Sequence, residues 1–197
     1  MLWLPPEPLI LASRSPARRA VLEAAGIPLE VRPAAVDERA IEAGARATAP
    51  GQVAALLAEE KARAVPGAVV LGADQTLSCD GRRFSKPADA AEARAQLQAL
   101  SGRVHELHSA LALVQEGQVV FSHVEVARLT MRILSGPFLD RYLAAAGANV
   151  TLSVGGYQLE GLGIHLFERV EGDHFTILGL PLLPLLDFLR RAGLLAG

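Results

Sequence analysis

Two long β-prone stretches, residues 104–114 and 119–133, meet around Glu116-Gly117. Strands this long with so short a connection pair antiparallel, so no wholly parallel sheet can hold them. Upstream, apolar runs alternate with helical stretches, as in parallel crossover units. The first run, residues 9–12, reads as a buried strand. A helix over 16–25 follows, with Ser15 as N-cap, Pro16 at its first position and Gly26 past its end. A second helix spans 50–65, with Val53, Leu56, Leu57 and Ala64 as its apolar stripe. Residues 68–73 read as a second buried strand ending at Asp74. An Asp80-Gly81 turn makes 76–84 a hairpin. Asp89 and Glu92 form a capping-box-like start to a helix that reaches Leu100 and stops near Gly102. Beyond the long pair, Ser135 caps a helix ending near Gly147. A glycine-rich segment (155–163), a strand (164–170) and a closing helix (182–192) complete the chain. The class is therefore α/β, a mixed sheet flanked by helices. No Pro-, Gly- or Ser-rich linker divides the 197 residues, so a single unit over 1–197, with room for two lobes, is expected.

About half the residues are apolar and a fifth are charged, and the net charge is −2. This balance argues against a nucleic-acid partner, as do the few aromatics available as stacking platforms. The lone cysteine, Cys79, permits no internal disulfide and agrees with a reducing compartment. The first eight residues lack a basic, apolar leader pattern. Pro181, Pro184 and Asp187 interrupt the apolar stretch 175–189, so no membrane span is expected.

Residues that can carry chemistry fall in a few places. Ser13-Arg14-Ser15-Pro16-Ala17-Arg18-Arg19 opens a helix directly after a strand. Free N–H groups at a helix start attract anions, and arginine forks match phosphate oxygens. The glycine and Lys-Ser/Thr pattern of a P-loop is absent, and a solvated helix start is the alternative. Asp74 closes an apolar strand, where α/β folds place ligands. It can hold a metal, position a water, or simply form a turn. Lys61 and Lys86 can neutralise phosphate charge, and Glu38 in Val36-Asp37-Glu38-Arg39 can add a second carboxylate. His105 and His108 stand three apart in a strand and so face opposite sides. They are not expected to form a zinc site, and Cys79 is read as incidental.

Taken in order, these segments resemble the Maf family. The matching residues begin with Leu9-Ile10-Leu11-Ala12-Ser13, Ser15-Pro16 and Arg18, then Val36-Asp37-Glu38, Glu60-Lys61-Ala62, Gly72-Ala73-Asp74 and Lys86-Pro87. They continue with Leu100-Ser101-Gly102-Arg103-Val104-His105-Glu106, Glu160-Gly161-Leu162-Gly163 and Leu178-Gly179-Leu180-Pro181-Leu182. The resemblance covers nearly the whole chain. It implies an elongated mixed sheet with two lobes around a cleft, related to the inosine triphosphate pyrophosphatases. It implies a cytoplasmic homodimer that uses a divalent cation, Mg²⁺ or Mn²⁺, to hydrolyse a nucleoside triphosphate to monophosphate and pyrophosphate. Asp74, Glu38, Lys61 and Lys86 are then catalytic, with Asp74 and Glu38 as metal ligands and Asp74 alternatively the base. Ser13, Arg14 and Arg18 are substrate-binding. A dTTP or UTP pyrophosphatase and a non-catalytic nucleotide-binding regulator of cell division are the alternatives.

The resemblance also marks base-specificity positions. The branch resembling dTTP and UTP pyrophosphatases usually has Arg, Thr and Gln where this chain has Ala17, Gln75 and Glu160. The branch resembling 7-methyl-GTP pyrophosphatases has Gln and Glu at the last two and Trp at the first. An ionised Glu160 only accepts hydrogen bonds, which suits the N1–H and amino edge of guanine. Ala17 offers no ring to stack on a cationic 7-methylguanine.

Overall fold

A computed structural model describes residues 2–44 and 49–197. Seven strands form a mixed sheet: β1 (Leu9–Leu11), β2 (Leu29–Val31), β3 (Val69–Cys79), β4 (Arg82–Phe84), β5 (Val104–Gln115), β6 (Gln118–Met131) and β7 (Phe167–Glu171). Their order is β2-β1-β3-β5-β6-β7, with β4 paired to β3. β1 runs parallel to β2 and β3, while β3–β4 and β6–β7 are antiparallel. The α-helices are α1 (Pro16–Ala24), α2 (Glu38–Gly44), α3 (Pro50–Arg63), α4 (Ala90–Leu100), α5 (Gly136–Ala146), α6 (His174–Ile177) and α7 (Leu182–Arg191). The chain divides into two compact units. The first comprises Met1–Gln75, Ser109–Glu125 and His174–Gly197, and the second Thr76–His108 and Val126–Asp173. No helix among the described residues is long and apolar enough to cross a membrane.

In the first unit, strand alternation sorts the core. Leu9, Leu11, Leu71, Leu111 and Leu113 point to one face, where Leu22 of α1 and Leu185 and Leu189 of α7 cover them. Trp3 is buried in the same cluster, and its indole N–H donates to the Glu7 carbonyl. On the opposite face, Ala54 and Ala58 of α3 meet Ala110 and Ala112 of β5. The buried face of α3 is Val53, Ala54, Leu57, Ala58 and Ala62, so Ala64, expected in the apolar stripe, lies outside it and is exposed. Small residues face the sheet because β3 comes very close. A Cβ at Gly72 would lie 2.0 Å from the Ala58 carbonyl oxygen and 2.7 Å from the Ala62 amide nitrogen.

In the second unit, α4 begins as the sequence predicts. The Asp89 side chain accepts from the Glu92 N–H, and Glu92 accepts from the Ala88 N–H. Ser135 caps α5 through the Phe138 N–H. Both expected hairpin turns are present, with positive φ at Asp80 and Gly81 and again at Glu116 and Gly117, as a type I′ turn requires. The glycine-rich segment forms short 3₁₀ turns. The strand expected over 164–170 begins only at Phe167, because Leu162–Leu166 is itself a 3₁₀ turn.

Buried in this unit, His105 is 1 % exposed and its Nε2 lies 2.7 Å from the Tyr157 hydroxyl. Phe167 packs on both rings. Burial holds the His105 imidazole down at about 4 and pushes the Tyr157 phenol up. The unfolded imidazole titrates near its usual value of about 6.5. Its neutral form therefore contributes stability in full above that value, and the contribution is lost as pH falls toward 4. We expect wild type to lose about 3 kcal/mol more stability than His105→Gln between pH 7 and pH 4. Urea unfolding at both pH values checks this, and parallel losses would contradict it.

Candidate active site

The candidate site of the first unit is built where β1 and β3 end their pairing. After Leu11, the chain turns through Ser13 and enters α1, whose N-cap Ser15 accepts from the Arg18 N–H. Ser13 is buried, and its Oγ accepts from the Ser15 N–H and from Arg18 Nη1. Arg14 is exposed. Arg19 turns outward to an exposed pair with Glu23, so it belongs to the solvated surface. Ala17 is half-buried on α1. Trp3, in the core, supplies no ring to stand in for the missing aromatic.

Asp74 is not at a strand end as expected. It lies within β3, which continues to Cys79. The strand tolerates polar residues here because the Asp74 and Gln75 side chains both find partners. Asp74 Oδ1 receives the Lys61 ammonium at 2.6 Å, and the two side chains are only 11 % and 12 % exposed. The same ammonium reaches Glu38 Oε1 at 2.8 Å. Glu38 is exposed. It opens α2, where Asp37 Oδ1 accepts from the Ala40 N–H. One buried cation thus gathers the two carboxylates that the sequence separates by 36 positions. The close seat of α3 on Gly72 sets the reach of Lys61.

Arg18 links this cluster to the start of α1. Its Nη1 donates to the Ala73 carbonyl at 2.7 Å and to Ser13 Oγ at 3.1 Å, and its Nε donates to the Gly179 carbonyl at 2.8 Å. Burial pushes the guanidinium below its usual value, and Asp74 and Glu38 pull it back. An arginine in such surroundings stays charged. Sequence reasoning missed the Ala73 and Gly179 carbonyls, because backbone acceptors carry no residue-type signal.

Gln75 points the other way along β3 from Asp74. Its Nε2 donates to Ser109 Oγ, the Thr176 carbonyl and the Ile177 carbonyl. Three acceptors around one nitrogen fix the amide orientation, leaving Oε1 without a hydrogen-bond partner among the described residues.

The second unit carries the remaining candidates. Lys86 lies exposed between β4 and α4. Gln96 of α4 donates to the Ser85 carbonyl just before it, a support the sequence did not reveal. Glu160 sits exposed on a turn in which the N–H groups of Gly161 and Gly163 both donate to the Gln158 carbonyl. His108 Nε2 is 3.1 Å from both Ser78 Oγ and Glu106 Oε2. A hydroxyl and a carboxylate on the same ring nitrogen cannot work as a nucleophile relay, which needs one on each. Cys79 is buried, and burial pushes its thiol up, away from reactivity. Among the described residues, no three His, Cys, Asp or Glu side chains gather to hold a metal. A cation at Asp74 and Glu38 would need further ligands from elsewhere.

The chain is 58 % identical over 199 residues to a Rhodopseudomonas palustris (strain BisB18) protein named nucleoside triphosphate pyrophosphatase, covering 99 % of this chain and 98 % of that protein. It is 54 % identical over 197 residues to a Mesorhizobium japonicum (strain LMG 29417 / CECT 9101 / MAFF 303099) protein named 7-methyl-GTP pyrophosphatase, covering 97 % and 99 % of the two chains. Among solved structures, it aligns at TM-score 0.37 and 25 % identity with a nucleoside-triphosphatase / dITP/XTP pyrophosphatase from Mycobacterium abscessus ATCC 19977 / DSM 44196, over 65 % and 76 % of the two chains. The family profile described as Maf-like protein matches residues 8–192. With nearly every residue inside that match, the chain belongs to the Maf-like protein family.

Proposed function

We propose that the chain hydrolyses a nucleoside triphosphate between its α and β phosphates, releasing nucleoside monophosphate and pyrophosphate, with a guanine nucleotide such as 7-methyl-GTP as the preferred substrate. The observation that carries this reading is the Lys61 ammonium shared by Asp74 and Glu38. Beside it, Arg18 ties Ala73 to Ser13 at the start of α1. That arrangement joins an anion-attracting helix start to a pair of carboxylates.

In the proposed reaction, water attacks the α phosphorus and the bond to the α–β bridging oxygen breaks. Asp74 Oδ2, outside the Lys61 contact, turns the lone pair of the attacking water to phosphorus and takes its proton as the P–O bond forms, and pyrophosphate leaves with the electron pair of the broken bond. An ammonium has three donors and the carboxylates use two, so one N–H of Lys61 remains for a phosphate oxygen. Its charge stabilises the negative charge that grows on the leaving group. The exposed Arg14 guanidinium adds a further cation at the helix start. The oxygen of Glu38 outside the Lys61 contact, with that of Asp74 as the alternative to its role as base, would fit Mg²⁺ or Mn²⁺, since Mg²⁺ takes one or two carboxylates and fills its shell from phosphate and water. Bound there, such a cation would supply Lewis-acid stabilisation of the phosphate charge. In the second unit, the same reading assigns Lys86 to phosphate charge and Glu160 to the base. A cytoplasmic homodimer that takes no nucleic-acid partner belongs to the same proposal.

The preference for guanine is supported by Gln75. With its amide nitrogen committed to Ser109, Thr176 and Ile177, it offers a ligand only an acceptor. An ionised Glu160 likewise only accepts. Guanine presents N1–H and an amino group along one edge, whereas uracil and thymine present one N–H between two carbonyls. A pyrophosphate-release assay over 7-methyl-GTP, GTP, dTTP, UTP, CTP and ATP tests the reading. We expect kcat/KM for 7-methyl-GTP to exceed that for dTTP and UTP by about 100-fold, the scale of the roughly 1–3 kcal/mol that an unpaired buried acceptor costs. A preference for dTTP or UTP would overturn the base assignment and leave the reaction class. Release from none of them would overturn both.

A further inference from the structure

We propose that Arg18 is a positioning residue: it ties three backbone segments together so that the β3 carboxylate Asp74 keeps its place, and it does not grip phosphate as a fork. This rests on the hydrolase reading above.

The argument follows from where its hydrogens go. A guanidinium has five N–H donors and two edges that can clasp an oxyanion in parallel, Nη1–Nη2 and Nε–Nη2. Here Nη1 is committed to the Ala73 carbonyl and Ser13 Oγ, and Nε to the Gly179 carbonyl. Each edge has therefore lost one of its two nitrogens to the protein. Gly179 confirms how closely the group is seated. Its φ is +86°, and a Cβ there would stand 3.2 Å from both Nε and Nη2. A side chain at 179 would be strained by its backbone and would also press on the guanidinium.

The three partners come from different places in the chain. Ser13 follows β1, Ala73 immediately precedes Asp74, and Gly179 follows α6. The α6 segment is held from a second side as well. Gln75 donates to the Thr176 and Ile177 carbonyls, and the fully buried Ser109 donates to the Thr176 carbonyl at 2.7 Å. Arg18 and Gln75 thus pin the residues flanking Asp74 to one segment. Loss of Arg18 frees the Ala73 carbonyl, and with it the aim of the Asp74 carboxylate. Lysine cannot replace it, because a single ammonium cannot span acceptors that a planar fork reaches in two directions.

The test compares wild type, Arg18→Ala, Arg18→Lys and Gly179→Ala in steady-state pyrophosphate release, and in amide hydrogen exchange without substrate. We expect each variant to lose about 100-fold in kcat, the scale of a small misplacement in a catalytic constellation, with KM within about threefold of wild type. Added guanidinium ion should restore part of the kcat of Arg18→Ala. Amides of residues 73–75 and 175–180 should exchange faster in each variant. A KM raised by about tenfold or more with kcat kept would overturn the proposal and make Arg18 a phosphate contact. Unchanged exchange in those segments would overturn it independently of the assay. Were wild type to release no pyrophosphate, the hydrolase reading would fall, and the exchange data would still decide what Arg18 holds. Should Arg18→Ala not fold, Arg18→Lys and Gly179→Ala carry the same two readouts.

Discussion

Asp74→Asn is expected to lower kcat/KM for pyrophosphate release by about 1000-fold, within the range for loss of a positioned acid–base group. The substitution keeps the size of the side chain and one acceptor oxygen, so it isolates the charge. Lys61 retains Glu38 as an ion-pair partner, and the helix–strand seat around Gly72 is untouched. The variant should therefore fold and still bind nucleotide. The readouts are steady-state kinetics together with nucleotide binding by calorimetry. Activity within about tenfold of wild type would remove Asp74 from the chemistry. Loss of binding with kcat retained would assign it to substrate affinity instead.

The second large effect is on stability. Gly72→Ala is expected to cost about 3 kcal/mol or more, at the upper end of overpacking in a close-packed interior. The new methyl would lie 2.0 Å from the Ala58 carbonyl oxygen and 2.7 Å from the Ala62 amide nitrogen. These are helix backbone atoms, which cannot swing aside as a side-chain tip can, so α3 must lift from β3 as a body. That movement carries Lys61 away from Asp74, and activity should fall with stability. Gly44→Ala is the control, since a Cβ there meets nothing within 4 Å and its φ is not left-handed. Urea unfolding of both variants checks the difference. Equal midpoints would contradict the seat described for α3.

The sequence made the local start and stop signals legible. Ser15, Asp89 and Ser135 cap the helices expected of them, and the Asp80-Gly81 and Glu116-Gly117 turns join the expected strands. Elements without a buried stripe escaped it. α2 has no buried residue, and β2 is three half-exposed or exposed residues long, so neither has a hydrophobic period to read. In α3, Val53 and Leu57 are buried as the pattern predicts, but Ala54, Ala58 and Ala62 are buried beside them and escape a pattern that large residues dominate, while Ala64 is exposed. At the candidate site, Asp74, Glu38 and Lys61 stood out singly as residue types. Their union in one ion-pair cluster, with Lys61 and Asp74 largely buried and Glu38 exposed, depends on how α3 seats against β3. The break expected at Asp74 failed because propensity counts polar residues against a strand, and here Lys61 and the Gln75 partners compensate them. The tie from Arg18 to two carbonyls lay beyond any reading of residue types.

The most direct measurement is hydrolysis of 7-methyl-GTP in ¹⁸O-water with both products identified by mass. Cleavage between the α and β phosphates by attack at the α phosphorus predicts 7-methyl-GMP carrying one ¹⁸O and unlabelled pyrophosphate. Nucleoside diphosphate with inorganic phosphate, or label in the pyrophosphate, would contradict the account.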